Sequence, residues 1–148
     1  MSGIVCAIRG GPDSQPTMDR SIQLAAETGL PLYFLYVVNL DFLTFTASSR
    51  VHAISKELDQ MGEFILLMAQ MKAETQGVTS KGIVRHGKVA ETIIELCREL
   101  EADYTVLGRP RDQGEEDVFT RERLDKIAQR IESETGTKVI FNAGLQDE

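Results

Sequence analysis

Short apolar runs alternate along the chain with longer segments in which apolar residues recur every third or fourth position. Each run is rich in β-branched or aromatic residues and is bounded by glycine, proline or charged residues, a pattern typical of strands buried in a parallel sheet. The five predicted strands span residues 3–8, 31–38, 78–85, 103–107 and 138–142. The third is the most polar of them, which favours a place near the sheet edge.

The segments between these strands predict four amphipathic helices, because their apolar residues fall on one side of a helical repeat. The second helix is the longest, covers roughly 25 residues and ends before Gly77. It carries a Met-rich face that fits either a partner groove or the core, and core packing is favoured. The inward faces predicted for the four helices are Met18, Ile22, Ala25 and Ala26; Val51, Ile54, Leu58, Met61, Ile65 and Met68; Val89, Ile93, Leu96, Cys97 and Leu100; and Leu124, Ile127, Ala128 and Ile131.

The alternation of strand and helix predicts one doubly wound α/β domain over residues 1–148. Strands joined by crossover helices run parallel, and right-handed crossovers place helices on both faces of the sheet. Local signals mark the first helix, since Asp13 or Ser14 can cap its start and Gly29 can end it. The predicted fold class is therefore an open five-stranded parallel sheet covered on both faces.

Charge and composition restrict the class of protein. The chain carries 16 Lys and Arg against 23 Asp and Glu, a net charge of -7, and most of the excess negative charge lies after residue 100. An acidic chain repels phosphate, so nucleic acid is not an expected partner. Apolar windows are too short to cross a membrane and the N-terminus lacks the layout of a signal peptide, so we expect no membrane association and a cytoplasmic location.

Cysteine and histidine offer little chemistry. Cys6 and Cys97 are far apart, and each lies in an apolar segment that predicts burial. His52 and His86 are isolated, so the spacing of a metal site is missing. The sequence also lacks the glycine-flanked serine of an esterase and a complete P-loop. We therefore expect no metal and no ordinary hydrolase centre.

The candidate site lies in the loops that follow the strands, because open parallel sheets bind ligands at the carboxyl ends of their strands. Loop 9–14 contains Gly10 and Gly11, which fit either the close approach of a ligand or a simple turn. Loop 108–120 holds arginines of a kind that binds phosphate, although the same arginines can pair with the acidic run 115–117. Both interpretations remain open at this point.

Three stretches resemble the universal stress protein family. The opening, IVCAIRGGPDSQPTMDRSIQLAAETGLPLYFLYVV, resembles its first strand, first helix and second strand. The segment IVRHGKVAETIIELCRELEADYTVLG resembles its third strand, third helix and fourth strand, and KVIF resembles its last strand. The resemblance covers nearly the whole chain and implies a sheet of order 3-2-1-4-5. It also implies a homodimer formed through the fifth strands, which here contain Lys138, Val139, Ile140 and Phe141.

The resemblance weakens at the ATP site that some members of that family possess. Binders resemble Gly-x-x-Gly-x9-Gly-Ser/Thr after the fourth strand, where freed backbone amides cradle phosphates, and they carry Asp at the end of the first strand. Here Gly108 matches the first glycine, but Arg111 stands at the second and Arg9 stands at the Asp. The Gly-Ser/Thr position falls on residues 121–122 or 125–126, and neither pair matches. We therefore do not expect ATP to bind in the family's usual way.

We predict a non-catalytic, universal stress protein-like regulatory module with a degenerate nucleotide pocket. Its hypothetical contacts to ATP, AMP or another anion are Arg9, Gly10, Val38, Leu107, Gly108, Arg109, Arg111 and Arg121. The alternative is an ATP- or AMP-binding member or a slow adenine-nucleotide hydrolase, for which Asp13 and Asp112 are the candidate metal carboxylates. A third interpretation is an interaction protein with an unknown protein partner. Loop 40–49 presents Phe and Leu near the cleft, and it can close over the pocket, contact a partner subunit or fold inward.

Overall fold

A computed structural model of the chain describes residues 2–9, 14–40, 48–108 and 115–141, with the backbone alone for residues 48, 49 and 115–121. The described residues form five strands, which lie within about two residues of the predicted ones. These strands are β1 (Ile4–Ala7), β2 (Leu32–Val38), β3 (Ser80–His86), β4 (Tyr104–Leu107) and β5 (Lys138–Phe141). All neighbouring strands pair in parallel in the order β3-β2-β1-β4-β5. The predicted fold class and strand order are confirmed.

Four helices connect the strands. They are α1 (Gln15–Thr28), α2 (Ser48–Thr75), α3 (Val89–Leu100) and α4 (Glu115–Thr135). None of these described helices is long and apolar enough to cross a bilayer. The acidic run 115–117 was predicted to lie in an irregular loop, and this prediction is wrong because these residues open α4. Negative charge is favoured in the first turn of a helix, where it complements the positive end of the helix dipole.

The sheet separates two apolar layers. On one face α1 and α2 pack over Ile4, Cys6 and Phe34. On the other face α3 and α4 pack over Val5 and Leu35. Successive residues of a strand point to opposite faces, so the central strand β1 contributes to both layers. This explains why β1 is continuously apolar.

The face of α2 that contacts the sheet differs from the predicted one. Met61 and Met68 were predicted to point inward, but both are about half exposed in this structure. The residues of α2 buried against the sheet are Gly62, Leu66, Ala69 and Ala73. Small residues carry a weak hydrophobic signal in sequence, yet they let the helix approach closely. A Cβ atom at Gly62 would lie only 2.9 Å from Tyr36 Cε2.

Two smaller corrections concern single alanine and valine positions. Ala26 of α1 and Val89 of α3 were predicted to face the core, and both are exposed. In α1 the buried face instead includes Leu24 and the polar residues Thr17 and Ser21. Buried hydroxyls can satisfy themselves within a helix, as Ser21 Oγ does by donating to the Met18 carbonyl at 2.8 Å. The apolar periodicity therefore located each helix but missed part of its inner face.

The ends of α1 show which predicted boundary signals operate. Gly29 ends the helix in the left-handed conformation (φ 76°), with its N–H donating to the Ala25 carbonyl. Ser14 occupies the position before the helix, as predicted, but its side chain does not cap the helix. The other predicted cap, Asp13, lies outside the described residues. The first turn also contains no acidic residue.

Candidate functional site

The strand order reverses between β1 and β4, and this reversal defines the candidate site. The chain leaves β1 toward β2, whereas it leaves β4 toward β5. Loops that depart in opposite directions leave a crevice at the carboxyl edge of a parallel sheet. The same edge receives the N-terminal ends of α1 and α4, where backbone N–H groups lack partners within the helix. The N-terminal ends of these two helices therefore lie over the carboxyl ends of the two central strands, β1 and β4.

Arg9 follows β1 at this edge. Its backbone N–H donates to Ser14 Oγ at 3.3 Å, which joins the end of β1 to the start of α1. Arg9 is exposed, so its guanidinium is available to a bound anion. Because Ser14 does not cap α1 and no carboxylate lies in the first turn, the positive end of α1 is not neutralised from within that turn.

Gly108 follows β4 and lies against the first turn of α1. A Cβ atom built on Gly108 would lie 2.8 Å from Thr17 Oγ1, closer than side chains normally approach. Thr17 is fully buried, and its carbonyl accepts a weak hydrogen bond from Cys6 Sγ at 3.8 Å. Glycine at 108 is thus explained by its packing against α1. Sequence reasoning missed Thr17, whose only signal is its spacing from Ser14 at the start of a helix.

Val38 and Leu107 were predicted as contacts and lie at the same edge, on β2 and β4. Both side chains are buried. Leu107 packs in the α3/α4 layer beside Phe141, its partner in β5. The Val38 carbonyl accepts from the Gly87 N–H at 3.0 Å. The structure thus places both residues at the predicted edge with their side chains in the interior, and their contact with a ligand stays a prediction.

Several predicted positions lie outside the described residues. They are Gly10, Asp13, Arg109, Arg111, Asp112 and residues 41–47 of the apolar loop. Arg121 lies within α4, and its side chain is likewise outside the description. Their predicted roles stay predictions.

The start of α4 has a charge unlike that of a phosphate site. Its first three residues are Glu115, Glu116 and Asp117. Three carboxylates in the first turn oppose the dipole that would attract an anion.

Neither cysteine is prepared for nucleophilic chemistry. Burial raises the pKa of the Cys6 thiol to about 12, although the hydrogen bond from Ser21 acts in the opposite direction. Burial also raises the pKa of Cys97, whose Sγ lies 2.8 Å from Thr105 Oγ1. Since the thiolate is the reactive form, burial disfavours nucleophilic chemistry at both groups. Among the described residues, no three His, Cys, Asp or Glu side chains come together as a metal site would require.

Comparison with known structures agrees with this architecture. The universal stress protein UspA from Lactobacillus plantarum superposes with a TM-score of 0.71 at 17% identity, over 95% of this chain and 96% of the other. A universal stress protein in complex with cAMP gives a TM-score of 0.68 at 19% identity, over 95% of both chains. The Archaeoglobus fulgidus universal stress protein in complex with dAMP gives 0.62 at 14% identity, over 95% and 97%. At these identities the likeness establishes the fold.

The sequence itself provides the family assignment. No curated protein matches the chain significantly. The model of the universal stress protein family, however, matches residues 1–133, which include all the strands and helices except the end of α4 and β5. Together with the strand order, this match shows that the chain belongs to the universal stress protein family.

Proposed function

We propose that this protein is a non-catalytic regulatory module of the universal stress type. Its pocket at the β1/β4 edge suits an adenine nucleoside monophosphate better than ATP. The observation that carries the proposal is the exposed Arg9 beside the start of α1, whose first turn contains no acidic residue, at the place where the family resemblance puts a carboxylate. Two of the structural neighbours are described in complex with dAMP and with cAMP, each of which has a single phosphate.

Charge balance favours one phosphate over three. Arg9 and the start of α1 supply positive potential at a single point of the edge. A triphosphate extends further, toward the loop after β4, and the acidic opening of α4 at residues 115–117 would repel its distal phosphates. Arg111 in place of the second family glycine also removes part of the backbone cradle that the resemblance implies. The same arrangement argues against positioning a phosphate for transfer.

Binding is tested by titrating the full chain with AMP, cAMP and ATP, the last with and without magnesium, by calorimetry and thermal shift. We expect a rise in melting temperature with a monophosphate and a smaller rise with ATP, because a ligand that binds the folded state stabilises it. Arg9→Ala should abolish the monophosphate effect. Lys81→Ala is the matched control. Lys81 is an exposed cation near the start of β3, so it lies at the amino ends of the parallel strands, away from the candidate site at their carboxyl ends. No response to any nucleotide, or equal loss in both variants, would contradict the proposal.

Turnover is tested by magnesium-dependent phosphate release from ATP. We expect no release above the background of buffer. A measurable rate that Asp13→Ala abolishes would instead establish a slow adenine-nucleotide hydrolase, because phosphoryl transfer needs a carboxylate to hold the metal.

We further propose that two copies pair through β5, which is an edge strand of the sheet. An edge strand presents backbone groups to which another strand can add. In this chain the Val139 N–H donates to Glu132 Oε2 at 3.0 Å, so the carboxylate must release that donor before a strand can pair with it.

Glu132→Ala should therefore strengthen association, whereas Glu122→Ala, an exposed change on the same helix, should not. Val139→Pro should weaken association, because it removes the outward donor at a position where an edge strand tolerates proline. Unchanged sedimentation in both Glu132→Ala and Val139→Pro would refute pairing through β5.

A further inference from the structure

An apolar stripe lies on the outer side of α2, away from the sheet. It consists of Met61, Phe64, Leu67, Met68 and Met71, which are between 51% and 63% exposed. Its direction follows from the buried side of the helix, formed by Gly62, Leu66, Ala69 and Ala73. On a helical projection the stripe is centred opposite those residues and covers about 120°. A helix that is apolar on both sides is expected to be covered on both sides.

The size of the stripe matches the core of a protein interface. Side chains of this size present roughly 200 Å² each when fully accessible. At about half exposure, the five residues present on the order of 500 Å², which is near the largest apolar patch on a typical monomer. A stable interface buries about 800 Å² per partner. The stripe would supply about 60% of that area, close to the apolar share of a homodimer interface.

The spacing of the stripe makes it complementary to itself. Met61, Phe64, Met68 and Met71 are separated by 3, 4 and 3 residues, the repeat of a coiled-coil seam. Two copies of α2 that cross antiparallel about a two-fold axis at residue 66 place Phe64 opposite Met68 of the partner subunit. Met61 then lies opposite Met71 of the partner subunit. All four positions find apolar partners in this one register, without a change in the fold.

The flanks of the seam are compatible with this register. Leu67 meets its own copy at the axis, and Gln60 lies opposite Glu74 of the partner subunit, so no like charges face each other there. Lys72, on the opposite flank, is already paired with Asp19 of its own chain at 2.7 Å. Charged residues beside a seam set partner choice and orientation. The flanks therefore permit a second copy of the chain in the antiparallel direction.

A groove beside the stripe adds a receiving surface. It has a volume of about 180 Å³ and lies between the second half of α2 and the start of β3, where Leu67, Met71 and Glu74 line one side. Within the described part of the chain, Ser80 Oγ in this groove is buried without a hydrogen-bond partner. The antiparallel register lays the segment around Gln60 of the partner subunit over this groove. An amide is a suitable partner for an unsatisfied hydroxyl.

We infer that the outer face of α2 is a homotypic interface, in which two copies of this chain pack α2 against α2 in antiparallel orientation. This interface is separate from the β5 edge, because α2 covers the β2/β3 half of the sheet and β5 forms the opposite edge. Two different two-fold contacts on one chain can close into a tetramer or extend into a filament. The α2 contact does not depend on nucleotide binding or on pairing through β5.

Sedimentation velocity of the full chain over a concentration series gives the first test, with Phe64→Glu as the variant. Burial of two unpaired carboxylates should weaken the α2 contact at least about 100-fold. Val89→Glu is the matched control, since Val89 is also an exposed apolar residue on a helix and receives the same charge. Circular dichroism should show that both variants remain folded. Equal association in wild type, Phe64→Glu and Val89→Glu would overturn the inference.

A site-specific cross-link distinguishes the α2 contact from pairing through β5. Leu67→Cys should yield a covalent dimer with a short bifunctional maleimide, because residue 67 meets its copy at the axis. The native cysteines are buried and give no background. Glu95→Cys, exposed on α3 at the other face, should not cross-link. If the Leu67→Cys protein dimerises through β5 but forms no covalent dimer with the maleimide, the α2 interface is overturned and the β5 proposal is unaffected.

Discussion

Replacing Leu66 with alanine tests which side of α2 faces the sheet, and the same substitution at Leu67 is its matched control. The two leucines are adjacent in one helix, yet Leu66 is 4% exposed and Leu67 is 52% exposed. Leu66 also lies against Gly82 of β3, where an added Cβ would come within 2.9 Å of Leu66 Cβ. Because α2 and β3 are already this close at residue 66, they have little room to move together and fill the cavity that truncation of Leu66 would leave.

The expected magnitudes differ clearly. A buried Leu→Ala change costs about 2–5 kcal/mol, because it loses transfer free energy and leaves a cavity. Full burial of a leucine side chain contributes about 1.5–3 kcal/mol. Because half of the Leu67 side chain is already in water, its truncation should lower the unfolding free energy by roughly 1 kcal/mol or less. Alanine's higher helix propensity offsets a few tenths of a kcal/mol at both positions. We therefore expect the unfolding free energies of the two variants to differ by about 2 kcal/mol or more.

Urea unfolding followed by far-UV circular dichroism measures this difference, at a protein concentration low enough to keep the chain monomeric. In a thermal scan, 1 kcal/mol corresponds to about 2–4 °C for a chain of this size, so a 3 kcal/mol loss in Leu66→Ala should lower the melting temperature by about 6–12 °C. A cost for Leu67→Ala that equals or exceeds the cost for Leu66→Ala would refute the orientation of α2, and with it the outward direction of the apolar stripe.

Three further predictions concern groups described above. Thr105→Val should lower the unfolding free energy by about 1 kcal/mol, because it removes the hydroxyl that contacts Cys97 Sγ. Thr105→Ser keeps that hydroxyl, so the loss of this hydrogen bond should not contribute to its change in unfolding free energy. Cys6 and Cys97 should not react with a thiol reagent at pH 7 in the folded protein, and both should react after unfolding in urea, since burial raises the pKa of each thiol. The bidentate hydrogen bonds from Arg85, both at 2.9 Å, lower the pKa of Glu99, so their stabilisation is present above the ordinary glutamate pKa and is lost as the pH falls through the folded-state pKa. The urea midpoints of wild type and Glu99→Gln should therefore converge on acidification, and a constant difference from pH 7 to pH 3 would contradict this reasoning.

The fold was predictable because its signals are redundant. Each strand is a short apolar run between breakers, and each crossover helix has its own periodicity, so errors of one or two residues did not change the topology. The order of the strands came from the family resemblance, and the structure confirms it. One kind of failure was the direction of single side chains, as at Ala26 and Val89. Periodicity alone does not fix these positions, because the ends of a helix can extend beyond the layer that it covers.

The α2 error has a specific physical cause. Between Gly62 and Ala73 the helix is apolar around most of its circumference, so more than one face satisfies the amphipathic pattern. Methionine and phenylalanine dominate any hydrophobic count, whereas Gly62, Ala69 and Ala73 contribute almost nothing to it. Close packing selects the small residues, because a helix that lies directly over Tyr36 and Gly82 has no space for larger ones.

The candidate site was only partly predictable. The sequence placed Arg9 and Gly108 at the carboxyl edge, because the ends of predicted strands are visible in the pattern. It did not reveal that Thr17 packs on Gly108, since that contact joins residues about 90 positions apart and depends on how α1 crosses the sheet. It also did not reveal that α4 begins at Glu115, because a charged run without apolar periodicity resembles a loop.

The pairing of β1 with β4 imposes an order on biosynthesis. Gly3 N–H donates to Asp103 Oδ2 across a separation of 100 residues, and Ile4 lies beside Tyr104 in the sheet. At roughly 5–20 residues per second, β1 emerges from the ribosome several seconds before β4 exists. During that interval only β2 can cover one side of β1, so its other edge stays open to unintended strand partners. Packing of α1 and pairing with β2 are therefore the contacts of β1 that can form before β4 exists, and both reduce the surface that β1 exposes to other strands.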